Sequence, residues 1–326
     1  MSAHAGPAVP ELVSVVICTH NRAQMLSEVL GMLLPALQEY GQPAEVLVVN
    51  NASTDDTEAA VKRFGEQHPE VPLRLYTEPR LGVAHARNAG LRQCRGELVC
   101  FVEDDVIVPP EWLRELIGAY GRCREEARVG AVGGQIKLAW PDCPKPVWFD
   151  DRCVNALGRY YFGDADRVLP TGTELYTGNC LLTREAISRV GDFNVSLGRV
   201  GRSLLGGEDT DYGFRLWGSG FVMAYSAAGY VSHRVPPERL TVGWHARRAF
   251  WGGVTARFMG HRLQAHPLFN LLEAMRLCIS TLLALVTFNP RRAVFRCMRI
   301  LECVGAAYGW YLQRKRRAVS AELPGD

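Results

Sequence analysis

From Val13 onward the chain alternates short β-branched runs with longer segments of helical period. Val13–Cys18, Glu45–Asn50, Leu73–Thr77 and Glu97–Val102 read as strands, with Ala23–Tyr40 and Thr57–Gln67 as helices between them. Parallel neighbours need a crossover to join them, so this alternation confines the chain to an α/β layered domain on a mostly parallel sheet. In such sheets ligands gather beyond the carboxyl ends of the strands. Polar clusters stand at those ends: Thr19-His20-Asn21-Arg22 after the first strand, Asn50 to Asp56 after the second, and Glu103-Asp104-Asp105 after the fourth. Three clusters therefore converge on one edge.

Beyond the fourth strand, Lys137–Pro170 is rich in Pro, Trp, Tyr and Asp without sustained period and reads as a long functional loop. Order returns with a strand at Gly178–Leu182, helices at Arg184–Val190 and Glu208–Trp217, and a strand at Phe221–Val231. Pro236-Pro237 marks a boundary, giving a flexible segment 1–11, a catalytic-size domain 12–235 and a helical appendage 236–326. Within the appendage, Leu277–Phe288 is twelve residues without a charge, short of the roughly twenty needed to span a bilayer. From Arg291 to Ser320, eight Lys and Arg stand against one acid, Glu302, interleaved with aromatic and aliphatic residues. Both a helix seated in an anionic membrane surface and a packed helix pair with a solvated basic face fit that pattern.

Composition removes several classes. With 48% hydrophobic residues, disorder is excluded, and a net charge of only +3 argues against nucleic acid as a partner. Ten cysteines without a CxxC pair point to a reducing cytosol and no structural zinc. No basic region followed by an apolar core marks the N-terminus as secretory, so a cytoplasmic location is expected.

Two acidic clusters carry the chemistry. Adjacent carboxylates repel, so Glu103-Asp104-Asp105 at a strand end calls for a cation, and oxygen ligands favour Mg2+ or Mn2+; an acidic turn capping the helix from Glu111 is the alternative. Glu208-Asp209-Thr210-Asp211 opens a helix, where carboxylates either cap the dipole or supply a general base. Gly82–Gly90 opens another helix with Arg87 one turn in, a setting suited to phosphate. No Walker loop and no GxGxxG is present.

Six segments in order, Ser14–Arg22 (SVVICTHNR), Glu45–Thr57 (EVLVVNNASTDDT), Gly82–Gly90 (GVAHARNAG), Phe101–Leu113 (FVEDDVIVPPEWL), Gly178–Val190 (GNCLLTREAISRV) and Gly207–Gly218 (GEDTDYGFRLWG), resemble family 2 glycosyltransferases across roughly residues 13 to 235. That resemblance implies a GT-A fold, a nucleotide-diphospho-sugar donor, a divalent metal and inversion at the anomeric carbon. Carried over, it makes Asp105 a direct metal ligand and places Asp104 at the donor ribose or metal shell, with Glu103 replacing a more usual aspartate. His233 fits a histidine completing the metal shell. Asp209 is implied as the base with Glu208 as runner-up, and Arg87 as a diphosphate contact. Thr19, His20, Asn21, Arg22, Asn50 and Asp56 are the implied nucleotide-sugar residues. His20 stands where tyrosine commonly stacks on the base, and Asn50 where aspartate commonly pairs with uracil; UDP remains the expected nucleotide. The expected acceptor is a saccharide or lipid-linked hydroxyl at the inner membrane surface. A sugar-nucleotide nucleotidyltransferase and a catalytically inactive sugar-nucleotide-binding protein are the rival readings. The first lacks its glycine- and lysine-bearing loop at Cys18–Arg22.

Overall fold

A computed structural model describes residues 12–201, 204–259, 272–278, 281 and 289–322, with side chains described as far as Arg314. The segment 1–11 and most of Leu277–Phe288 lie outside the described residues. Two compact units are present. The first comprises the chain up to Ala139, Arg159–Ser196 and Glu208–Arg234; the second takes Trp140–Gly158, Leu197–Gly207 and the chain from Val235 onward.

The first unit is built on a nine-stranded sheet. Its strands are β1 (Val13–Thr19), β2 (Ala44–Asn51), β3 (Leu73–Glu78), β4 (Leu98–Glu103), β5 (Val106–Ile107), β6 (Val129–Ala139), β7 (Arg167–Val168), β8 (Asn179–Thr183) and β9 (Val222–Arg234). The order is β3-β2-β1-β4-β8-β6-β9-β5, with β7 on β9. The helices are α1 (Ala23–Tyr40), α2 (Thr57–Gln67), α3 (Val83–Gln93), α4 (Trp112–Cys123), α5 (Arg184–Val190) and α6 (Glu208–Gly218). β3, β2, β1 and β4 are parallel, as the alternation requires. From β8 outward the sheet is mixed: β8 is antiparallel to both β4 and β6, while β9 runs parallel to β6.

The apolar runs of β1, β2 and β4 are buried over nearly their whole length, with Val15, Val16, Val48, Val49 and Cys100 fully inaccessible. Strands buried on both faces read as continuous hydrophobic runs, which is why these three were legible as strands. α3 crosses the sheet at Gly90, where a Cβ would meet Val16 Cγ1 at 2.7 Å. That close seat fixes the helix whose preceding turn carries Arg87. At the amino ends of the strands, buried Glu45 accepts from Ser14 Oγ (2.7 Å), Arg95 N (2.7 Å) and Arg74 (3.0 Å). The polar groups at that edge thus satisfy one another.

Lys137–Pro170 differs from a plain loop. β6 runs on to Ala139, a 3-10 helix occupies Asp151–Leu157, and β7 adds to β9. The second unit holds this 3-10 helix, another at Pro237–Leu240, α7 (Val242–Phe258) and α8 (Pro290–Glu322). α7 and α8 cross at glycines: a Cβ at Gly253 would lie 1.9 Å from Glu302 O, and one at Gly305 1.9 Å from Phe250 O. No side chain fits there, so one face of the basic helix is a packing face. Val304, Tyr308 and Tyr311 on α8 remain 43–54% exposed. Among the described residues no helix is long and apolar enough to cross a membrane.

Candidate active site

β4 ends on Glu103, and a two-residue turn leads into β5. Asp104 and Asp105 form that turn. β5 pairs antiparallel with β9, Val106 opposite His233, and Arg234 N donates to Asp105 O at 3.0 Å. This pairing sets His233 beside Asp105, with Nε2 3.7 Å from Oδ2. Ligand atoms of Glu103, Asp105 and His233 all lie within 4.8 Å of one another. Gly178 leaves room for the first of them, since a Cβ there would come 3.3 Å from the Glu103 carboxylate.

Expected as a metal-shell residue, Asp104 lies outside this trio. It is held by Arg22, whose Nη1 donates to Asp104 Oδ1 at 2.6 Å and to Asp105 Oδ2 at 2.9 Å. Burial raises the Asp104 pKa to about 6, with Arg22 working downward and Asp105 upward. Two carboxylates and one imidazole suit a hard divalent cation that accepts some nitrogen, Mn2+ rather better than Mg2+.

The second acidic cluster divides in two. Glu208, 6% exposed, is hydrogen-bonded through Oε1 to the buried Arg87, which also lies 3.7 Å from Glu103. Expected at the donor diphosphate, Arg87 is paired here with two carboxylates. It packs beneath the cluster, its guanidinium 5.9 Å from the Phe193 ring. Asp209 is more exposed, and its Oδ1 accepts from Thr210 N at 2.8 Å. Desolvation and the adjacent Glu208 raise its pKa to about 7, against the lowering pull of Arg87. Asn88 ties this wall together, donating to Phe193 O at 2.9 Å and accepting from Phe193 N at 2.7 Å. Phe193 in turn stacks on Tyr212 of α6 with centroids 4.4 Å apart.

The β1 and β2 loops interlock. Asn21, at φ 52°, accepts on Oδ1 from Thr54 N (2.7 Å) and Asp55 N (3.3 Å), and Asn50 Oδ1 accepts from Ser53 N at 3.1 Å. Both carboxamide oxygens are therefore spent on loop shape. His20 is exposed, its Nδ1 anchored 2.7 Å from Asn51 O, so the ring is held in place beside the loop. Thr19 is buried at the end of β1. Asp56 is exposed; Asp55 instead caps both α1 and α2 through Ala23 N and Thr57 N, each at 3.1 Å. Asn51, absent from the residues the sequence singles out, joins β2 to the α3 entrance through Glu78 O, Arg80 O and Gly82 N. A second asparagine directly after a strand-end Asn was its only signal.

A mixed sheet with four parallel strands, interlocked loops at their carboxyl ends and two facing acidic clusters is the GT-A glycosyltransferase architecture. The mannosyltransferase PcManGT from Pyrobaculum calidifontis, solved with GDP-Man and Mn2+, superposes with a TM-score of 0.60 at 22% identity, over 93% of this chain and 88% of that one. The profile "Glycosyl transferase family 2" matches residues 14–190. That is more than half of the chain, and the chain belongs to this glycosyltransferase family. Among curated relatives, succinoglycan biosynthesis protein ExoM of Rhizobium meliloti is 28% identical over 280 residues, covering 82% of this chain and 80% of its own. A glucosyl-dolichyl phosphate glucuronosyltransferase of Haloferax volcanii is 25% identical over 250 residues, covering 76% and 77%.

Proposed function

We propose that this glycosyltransferase is metal-dependent and inverting. It moves a sugar from a nucleotide-diphospho-sugar, UDP-linked by preference, to a saccharide or lipid-linked hydroxyl in polysaccharide or glycoconjugate assembly. The observation that carries the reading is the division within Glu208-Asp209. Arg87 neutralises Glu208, leaving Asp209 as the carboxylate whose pKa, about 7, matches a general base. Asp209 takes the proton of the acceptor hydroxyl, and Arg87 with Glu208 holds the opening turn of α6 in place. Glu103, Asp105 and His233 fit a divalent cation by their donor types and mutual reach. Bound there, Mn2+ or Mg2+ would neutralise charge on the departing diphosphate. Asp104 faces the donor ribose, Arg22 the diphosphate, and the His20 ring offers a stacking face for the base. Mn2+ in the Pyrobaculum enzyme and the succinoglycan biosynthesis in ExoM's name agree with this reading.

A thermal-shift screen of UDP, GDP, dTDP and CDP with Mn2+ tests it. UDP with Mn2+ is expected to give the largest rise in Tm. No shift with any of the four would remove the nucleotide-sugar reading, and a larger shift with GDP would reassign the base.

We also place the enzyme at the cytoplasmic face of the inner membrane. The second unit carries eighteen Lys and Arg against eight Asp and Glu, net +10, whereas the remaining residues are net −7. Basic residues near an anionic leaflet contribute about 1 kcal/mol each. The full chain is expected to float with anionic vesicles at low salt and to stay at the bottom with zwitterionic ones. Protein that stays at the bottom with both would leave α8 as a packing helix alone.

A further inference from the structure

We propose that Arg22 occupies the place of the cation in the donor-free protein and changes partners when donor and metal arrive, coupling the two binding events through one side chain. This rests on the metal-dependent reading above. One nitrogen of Arg22 bridges the two carboxylates, at 2.6 Å from Asp104 and 2.9 Å from Asp105. Asp104 and Asp105 are each only 4% exposed. Adjacent buried carboxylates repel, and a positive charge between them is what holds both in place.

The oxygen that Arg22 contacts, Asp105 Oδ2, is also the one 3.7 Å from His233 Nε2. Asp105 and His233 belong to the trio that fits a cation. Guanidinium and cation therefore compete for the same face of one carboxylate. Arg22 is free to yield it: its side chain is 38% exposed, whereas those of both partners are 6% exposed. It also lies directly after β1, at the edge where the β2 loop is interlocked through Asn21. A guanidinium displaced there finds its best new partner in a diphosphate, whose oxygens match its planar donors. Metal then releases the arginine that the nucleotide needs, and nucleotide removes the arginine that the metal must displace. The two affinities rise together, by the same factor in each direction.

The test is Mn2+ binding, followed by the EPR signal of free Mn2+, with and without UDP and in parallel GDP. Wild type, Arg22→Gln and Arg22→Lys are compared. Wild type is expected to bind Mn2+ weakly alone and about fivefold or more tightly with the nucleotide. Arg22→Gln should bind Mn2+ more tightly than wild type without nucleotide, and the gain from nucleotide should shrink to the part that the direct attraction between ion and diphosphate supplies. Its Tm in EDTA should drop and be restored by Mn2+, which also shows that it folds. Arg22→Lys, keeping the charge, should retain most of the coupling. Mn2+ affinity in Arg22→Gln that equals or falls below wild type without nucleotide overturns the inference alone. Wild type that binds no Mn2+ in either condition overturns the metal-dependent reading, and the inference with it.

Discussion

Replacing Asp209 with asparagine is expected to lower turnover to acceptor by on the order of a hundredfold or more while donor binding persists. Asparagine keeps the volume and can still accept from Thr210 N, as Asp209 Oδ1 does at 2.8 Å, but it cannot take a proton. Removing a charge beside Glu208 also relieves repulsion, so Tm should hold or rise. The wild-type pH profile follows from the same carboxylate. Its pKa is raised to about 7, and the base must be deprotonated, so kcat should climb with pH through about 7 and then level. One pH unit below that value, turnover should be roughly tenfold lower; in Asp209→Asn this acid limb should disappear. Glu208→Gln should behave differently. It leaves the buried Arg87 without its closest counter-ion, and breaking a buried pair costs about 3–5 kcal/mol. Its signature is therefore a fall in Tm. Near-wild-type turnover in Asp209→Asn, with a stable but inactive Glu208→Gln, would reverse the two roles.

The parts of this molecule that the sequence spells out are those made by neighbours in the chain. α1 and α2 span Ala23–Tyr40 and Thr57–Gln67, where the helical period begins and ends, and β1, β2 and β4 are unbroken β-branched runs. β6 was hidden because Gly130, Gly133 and Gly134 interrupt it, and glycine is depleted in strands. Here those glycines admit neighbours: a Cβ would meet Phe221 at 2.8 Å, Tyr160 at 2.6 Å and Asn179 at 2.2 Å respectively. Its partners β8 and β9 begin some fifty and ninety residues later, so no local pattern announces the pairing. The site divides the same way. Both acidic clusters are visible as written, but that Glu103 rather than Asp104 is grouped with Asp105 and His233 depends on the turn after β4 and on the β5–β9 pairing, which no local pattern announces. The cations that sort the carboxylates are not local. Arg22 reaches Asp104 across 82 residues and Arg87 reaches Glu208 across 121. Only the folded sheet edge shows that one arginine bridges Asp104 and Asp105 and that the other pairs with Glu208.

Substituting alanine at Asp105 is expected to reduce transfer by at least about a hundredfold and to remove its sensitivity to chelator. Glu103, Asp105 and His233 form the group that fits a cation, and Asp105 is its centre, joined to His233 by the β5–β9 pairing and to Arg22 by an ion pair. Loss of this carboxylate leaves one oxygen and one nitrogen ligand, too few to hold Mn2+ against water. The fold should survive. Asp105 lies in the turn between β4 and β5, its backbone carbonyl still accepts from Arg234 N, and Asp104 keeps its own contact with Arg22. With one of two adjacent buried carboxylates gone, the metal-free variant should melt no earlier than wild type. Mn2+ titration should then show binding weakened by more than tenfold, with the far-UV CD spectrum unchanged. Transfer that stays near wild type in Asp105→Ala, together with wild-type activity untouched by EDTA, would remove the cation from the mechanism. The diphosphate charge would then fall to Arg22 alone.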